Sequence, residues 1–371
     1  MNLQREIKKS DEAYVYRLRA LYDGYGYTRY KVSKFETYDL YARNKSFLIC
    51  ENILTFTDTN GTLMALKPDV TLSIVKNFGA SSAETGKVYY SETVYRTSAR
   101  SEGFREIRQT GLECIGRVDR YLTGEVLMLA SRSLAETGRR YLLDVSHMGF
   151  LTALLSECGV EGGDCDEVLA LMANKNLPGL SAFCASHGLS ASATEALVGV
   201  TSVYAPLPEA LRAVERFVSG DGTRAAYDEL SALCDVLGAW EALATVHLDF
   251  SLACDRNYYN GIVFRGYIDG VPEAVLSGGR YDSLLSKMGK RGEAIGFAVY
   301  PDLIGTLDAD GDAYDTDAVV LYGDETDPSD LIAAVRALGR EGLRVRAEHG
   351  TDTKTRAKAV YRMNGREAKR V

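Results

Sequence analysis

Three features of this 371-residue sequence predict an α+β fold. Short β-type runs separated by turn signals occur between residues 53 and 115 and return from residue 262. Between them, from about Ser146 to Ala244, apolar residues recur at helical spacing almost throughout. Helices and strands therefore do not alternate strictly, which is the pattern of an antiparallel sheet with segregated helices rather than a doubly wound parallel sheet.

In chain order, Asp11 to about Gly24 spaces its apolar residues as a helix and ends at Gly and Tyr. Ile53–Thr57 and Leu63–Leu66 flank Asp58-Thr59-Asn60-Gly61, and Asn-Gly between two such runs signals a hairpin. Val88–Tyr90 and Leu112–Ile115 are read as two further antiparallel strands, with Arg96–Arg108 between them as a polar loop. A helix over Asp119–Glu136 follows from Leu122, Val126, Leu127 and Leu129. The helical block 146–244 breaks at Gly159–Gly163, Pro178-Gly179 and Gly220–Gly222, and is read as an insertion. Strands resume at Ile262–Phe264, Ala274–Leu276 and Ala294–Ala298. After a hydrophilic joint, Asp308–Asp312, a short βαβ-type unit reads strand Ala318–Tyr322, helix Ser329–Gly339, strand Leu343–Ala347. The expected organisation is a core of 1–145 with 245–308, an insertion of 146–244, and a C-terminal unit of 313–371.

Composition excludes several classes. Apolar residues make up 46%, charged residues 25%, and prolines number 7, which rules out disorder or a disulfide scaffold. The net charge of −8 makes nucleic acid a poor partner for the chain as a whole. Lys354, Arg356, Lys358, Arg362, Arg366, Lys369 and Arg370 crowd the end and are read as a solvated basic tail. The seven cysteines form no C-x-x-C, and the N-terminal residues hold no apolar signal core, so free thiols in a reducing cytoplasm are expected. No apolar run approaches the ~18 residues of a membrane span. The four histidines (His147, His187, His247, His349) lack metal-ligand spacing with one another or with cysteine, which removes support for zinc hydrolase or Ser-His-Asp chemistry. No metal and no cofactor are expected.

Five clusters carry polar residues where a strand-rich core is normally apolar: Lys67-Pro68-Asp69-Val70-Thr71; Arg96 with its following loop; Gln109 and Glu113; Asn257-Tyr258-Tyr259-Asn260-Gly261; and Ser277-Gly278-Gly279-Arg280-Tyr281-Asp282. The even spacing of Gln109 and Glu113 puts both on one face of a strand. Two readings stand for Asp69, a helix N-cap before Thr71–Val75 and a ligand carboxylate. Gly278-Gly279 is a turn or a place where backbone comes close to a ligand. Together the clusters suit a small zwitterion. Asp69 can pair with an α-ammonium, Gln109 can add a neutral hydrogen bond, and Glu113 with a tyrosine hydroxyl can hold both nitrogens of an imidazole.

In this order the clusters resemble the catalytic domain of class II histidyl-tRNA synthetases. Leu66-Lys-Pro-Asp-Val-Thr71 is similar to that family's L-R-P-E-G-T, and Tyr95-Arg96 with Gln109-Thr-Gly-Leu-Glu113 to its motif 2. Asn257-Tyr-Tyr-Asn260 and Gly278-Gly-Arg-Tyr-Asp282 resemble its two histidine signatures, and Gly296-Phe-Ala298 the start of motif 3. The resemblance spans about residues 1–305. It implies a class II synthetase-like antiparallel sheet core with flanking helices, and a histidine site formed by Asp69, Thr71, Arg96, Gln109, Glu113, Tyr258, Tyr259 and Tyr281.

The departures all lie in the ATP chemistry. Ser98 stands where the family's adenine-contacting Glu is, Cys254 where its activating Arg is, Leu303 where its phosphate-binding Arg is, and Ser33 at the motif 1 proline. Losing those groups removes the electrostatic stabilisation that adenylate formation needs. A kept histidine pocket with lost ATP chemistry resembles the regulatory subunits of ATP phosphoribosyltransferase, a paralogous family. Asp69 and the stretch Asn174-Lys-Asn-Leu-Pro-Gly-Leu180, similar to K-D-x-P-G-L, fit that family better. Arg256 either replaces the carboxylate partner lost at Cys254 or faces solvent. The resemblance implies a cytoplasmic, non-catalytic subunit that partners the short-form catalytic subunit, takes L-histidine as effector and self-associates as a dimer. The alternative is a divergent histidyl-tRNA synthetase.

Overall fold

The computed structural model describes residues 10–48, 52–78, 85–98, 101–252, 258–305 and 314–371. Cys254, Arg256, Asn257 and the joint Asp308–Asp312 lie outside the described residues. The chain divides into two compact units, Met1–Gly305 and Thr306–Val371.

The first unit opens with α1 (Ser10–Gly24) and the short β1 (Thr28–Arg29). β2 (Phe35–Thr37), α2 (Tyr38–Arg43), β3 (Thr55–Thr57) and β4 (Leu63–Leu66) follow. β3 and β4 form the expected hairpin with Thr57 opposite Leu63, and Gly61 (φ 84°) supplies the left-handed turn residue. With β2 they make a three-stranded sheet in the order β2-β4-β3. Next come α3 (Thr71–Asn77), the long pair β5 (Gly86–Ser98) and β6 (Ser101–Gly116), α4 (Arg120–Ala135) and β7 (Tyr141–His147). The helical block holds α5 (Met148–Glu157), α6 (Asp164–Ala173), α7 (Leu177–Ser186), α8 (Ala191–Ser202), β8 (Tyr204–Pro206), α9 (Leu207–Val214) and α10 (Asp221–Ala239). The unit closes with β9 (Val246–Asp249), β10 (Ile262–Ile268), β11 (Leu276–Arg280), α11 (Asp282–Lys287), β12 (Glu293–Val299) and α12 (Pro301–Gly305).

Nine strands form one sheet in the order β1-β5-β6-β12-β11-β10-β7-β9-β8. Only the β1–β5 and β7–β9 pairings are parallel, so the α+β expectation holds. Three buried tyrosines, two on α1 and one just after it, tie the N-terminal segment to α4. Tyr14 donates to Ser133 O at 2.7 Å, Tyr22 shares a 2.8 Å hydrogen bond with Ser133 Oγ, and Tyr27 donates to Glu125 at 3.1 Å. Each buries its ring while its hydroxyl keeps a partner, which avoids the penalty of an unpaired buried polar group. Among the described residues no helix is long and apolar enough to cross a membrane.

The structure corrects four expectations in this unit and the next. The polar loop Arg96–Arg108 is strand over residues 96–98 and 101–108: Tyr95 faces Glu106, Arg96 faces Arg105, and Thr97 faces Phe104. The far end of this two-stranded ribbon, residues 103–106, is exposed and pairs its backbone without needing apolar residues, so polarity concealed it. The helical block contains β8, which pairs with β9 through Tyr204 and Asp249. Gly278-Gly279 is not a turn but the middle of β11, paired with β10 and β12. The stretch 174–180 is a helix junction, where Asn176 accepts from Gly179 N at 3.0 Å and caps α7. Lys175, at φ 49°, reaches Asp249 at 3.1 Å.

In the second unit β13 (Thr316–Tyr322), α13 (Pro328–Arg340) and β14 (Val345–His349) are the expected strand–helix–strand. The fourth correction lies beyond them: the seven cations of the basic stretch are exposed, as expected, but Lys358, Arg362, Lys369 and Arg370 are carried on strand. The basic tail is β15 (Ala357–Asn364) and β16 (Glu367–Arg370), completing a four-stranded sheet in the order β14-β13-β15-β16. Its cations meet acids of the same unit: Lys358 lies 2.9 Å from Asp317, Arg356 3.1 Å from Asp315 and Arg366 3.9 Å from Asp330. Ala318, Val320 and Leu338 form the core between α13 and this sheet.

Candidate functional site

The residues singled out from the sequence arrive at one cleft from four places. Asp69 and Thr71 come from the β4–α3 junction, and Arg96, Gln109 and Glu113 from the β5–β6 pair. Tyr258 and Tyr259 come from the segment before β10, and Tyr281 from the β11–α11 junction. All eight line the same cavity, with Tyr90, Ser277, Gly296 and Tyr300 beside them.

Glu113 is buried at its centre. Tyr281 donates to Oε2 at 2.5 Å and Thr71 donates to Oε1 at 2.8 Å. Burial pushes its carboxyl up to about 8, against the two hydroxyl donors and aided by the nearby Asp69. Asp69 is likewise raised by burial, opposed chiefly by Arg96. One Asp69 oxygen accepts Leu72 N at 2.9 Å, while Arg96 lies 3.7 Å from the other. Both readings of Asp69 thus hold in part: it serves the first turn of α3 and it lines the cleft. Arg96 is anchored by donating Nε to Pro68 O at 2.6 Å. Lys67, fully buried, pairs with Glu92 at 2.6 Å and ties this junction to β5. Burial also raises the phenols of Tyr90, Tyr258 and Tyr281, so these hydroxyls remain protonated donors at neutral pH.

Sequence reasoning missed Tyr90 and Tyr300. Tyr90 has the same strand parity as Arg96 on β5, so two-residue alternation back from Arg96 reaches it. Tyr300 is bonded to Ser277 at 2.9 Å, and nothing in its local sequence marks it. Of the departures from the synthetase pattern, Leu303 sits half-buried in α12 and Ser33 is exposed between β1 and β2. Among the described residues, no group of three or more His, Cys, Asp or Glu side chains is placed to hold a metal ion. Chemically the cleft offers two buried carboxyl groups, one guanidinium, an amide and several phenols, a set suited to binding a small polar molecule.

The histidyl-tRNA synthetase family model matches residues 3–304. An ATP phosphoribosyltransferase regulatory subunit of Lactococcus lactis subsp. cremoris (strain SK11) is 29% identical over 291 residues, covering 76% of this chain and 88% of that protein. Among solved structures, an ATP phosphoribosyltransferase regulatory subunit/histidyl-tRNA synthetase from Bacillus halodurans C superimposes with a TM-score of 0.78 at 25% identity, covering 93% of this chain and 90% of that one. A chain of the ATP phosphoribosyl transferase (HisG:HisZ) complex from Thermotoga maritima shares the fold with a TM-score of 0.61 at 20% identity, covering 78% of this chain and 96% of that one. The chain belongs to the histidyl-tRNA synthetase family.

Proposed function

We propose that the chain is a non-catalytic regulatory subunit of ATP phosphoribosyltransferase that binds histidine in this cleft and confers activation and feedback control on the first step of histidine biosynthesis. The observation that carries the reading is the buried Glu113, held by Tyr281 and Thr71 beside Asp69 and Gln109, in a chain whose position 303 is leucine. Such a site meets an imidazole and an ammonium with hydrogen-bonding groups. Leu303 offers no charge to a phosphate.

In this reading Glu113 and Tyr259 hold the imidazole and Asp69 the ammonium, with Thr71, Arg96, Gln109, Tyr258 and Tyr281 completing the site. Residues 1–145 and 245–308 form the core, 146–244 an insertion and 313–371 a C-terminal unit. The partner is the short-form catalytic subunit, the chain self-associates as a dimer, and the complex works in the cytoplasm. The relatives' names and the two-component complex from Thermotoga maritima support the pairing. Histidine acts by favouring the less active state of the complex, a coupling typically of ~1–3 kcal/mol.

The test is calorimetric titration of the purified chain with L-histidine, run beside histidine-dependent ATP–pyrophosphate exchange. Saturable binding without exchange is expected. Exchange above a no-enzyme control would favour the synthetase reading instead.

A further inference from the structure

Glu113 on β6, Gly296 on β12 and Gly279 on β11 lie directly opposite one another across three adjacent strands. Cross-strand neighbours on one face ordinarily bring their Cβ atoms about 4.5–5.5 Å apart. Here β12, beside Glu113, presents bare backbone at Gly296, and β11, the next strand, does so at Gly279 beneath the ring of Tyr259. Neither Gly296 nor Gly279 has a positive φ, so backbone conformation does not demand glycine at either position.

The reason lies in what rests on them. A Cβ added to Gly296 would overlap Glu113 Oε2, the oxygen that accepts from Tyr281, and would also crowd Leu112 O. A Cβ added to Gly279 would lie 2.6 Å from the ring of Tyr259 and 2.8 Å from Ile262 O. The carboxyl group and the ring assigned to the imidazole therefore sit side by side on two adjacent glycines.

We propose that Gly296 is a positioning residue of the effector site: its missing side chain is the seat of the Glu113 carboxyl group, and Gly279 does the same for the ring of Tyr259. This rests on the histidine reading for its ligand, but not for its geometry. A methyl group at 296 lifts the carboxyl group away from Tyr281, so the ligand meets a displaced acceptor.

The experiment is a stability and binding cycle on the full chain. Gly296→Ala is expected to weaken histidine binding at least tenfold. Adding Glu113→Asp, which draws the carboxyl group back by one methylene, is expected to restore part of that loss, although Glu113→Asp alone weakens binding. In thermal unfolding, Gly296→Ala is expected to lower Tm at least about twice as much in the native background as in Glu113→Ala, because the second background lacks the overlapping carboxyl group. If Gly296→Ala does not fold by itself, folding of Gly296→Ala/Glu113→Ala gives the same support. An equal loss of Tm in both backgrounds, or failure of both Gly296→Ala and the double variant to fold, would overturn the proposal and assign the glycine to the Leu112 carbonyl contact. Should the native chain bind no histidine, the histidine reading falls, and the Tm comparison still decides the seat.

Discussion

Tyr281 donates its hydroxyl to Glu113 across 168 residues of sequence, at 2.5 Å, between two buried side chains. That bond joins the second histidine signature to the motif 2 strand, and Thr71 adds the β4–α3 junction from the other side. Three segments distant in sequence thus converge on one carboxyl group. Glu113 organises the cleft.

Replacing that group tests its role in binding. Glu113→Gln keeps the shape, loses one acceptor and cannot take on a negative charge beside the ligand's imidazole. A hydrogen bond to a charged group is typically worth ~1.5–3 kcal/mol, so histidine affinity is expected to fall roughly tenfold or more in a calorimetric titration. Unchanged affinity would remove Glu113 from the ligand contacts.

The same substitution has a pH signature in the ligand-free protein. Burial holds the Glu113 carboxyl near 8 in the folded chain, against 4.5 when exposed. Between those values the folded state keeps a proton that the unfolded state has released, so raising the pH from about 5 to 8 removes stability. The native chain should therefore lose more Tm over that range than Glu113→Gln. Parallel Tm–pH curves for the two proteins would show that Glu113 ionises freely.

Much of this site was legible in sequence because its residues come in short clusters whose polarity is out of place in a strand-rich core. Gln109 and Glu113 illustrate the readable kind: their spacing alone set them on one face, and both line the cleft. What escaped depended on distant pairing. The Arg96–Arg108 segment has no apolar alternation, since residues 103–106 are exposed and Arg96 is a buried cation, and only the partner strand makes it β. The basic tail becomes β15 and β16 because β13, some forty residues earlier, offers an open edge and carboxylates to its cations. Tyr90 is reachable only by counting strand parity from Arg96, and Tyr300 enters the cleft through the fold, which local composition does not encode.

That tail yields a prediction for the second unit. Asp317 accepts from Lys358 at 2.9 Å and from Arg344 N at 2.9 Å, and these partners hold its carboxyl well below the usual range. A depressed folded value contributes stability above the unfolded value, near 3.8, and that stability is lost as the pH falls. Asp317→Asn should therefore lower the Tm of this unit at pH 7 and matter progressively less toward pH 2, as followed by circular dichroism. A Tm deficit that stays constant with pH would assign the loss to packing.

Asp69 should set the effector concentration range. Its carboxyl lies beside Arg96 on the cleft wall and is assigned to the ligand ammonium. In the complex with the catalytic subunit, Asp69→Ala is expected to move the midpoint of histidine inhibition to higher histidine by about tenfold or more. An unmoved midpoint would leave Asp69 with only its role at the start of α3.

The most direct measurement is ATP phosphoribosyl transfer by the short-form catalytic subunit, assayed alone and with this chain, across a histidine titration. The account predicts that adding the chain changes turnover and makes it inhibitable by histidine, with no such inhibition at the same histidine concentrations when the chain is omitted. Turnover and histidine response that are identical with and without the chain would contradict it.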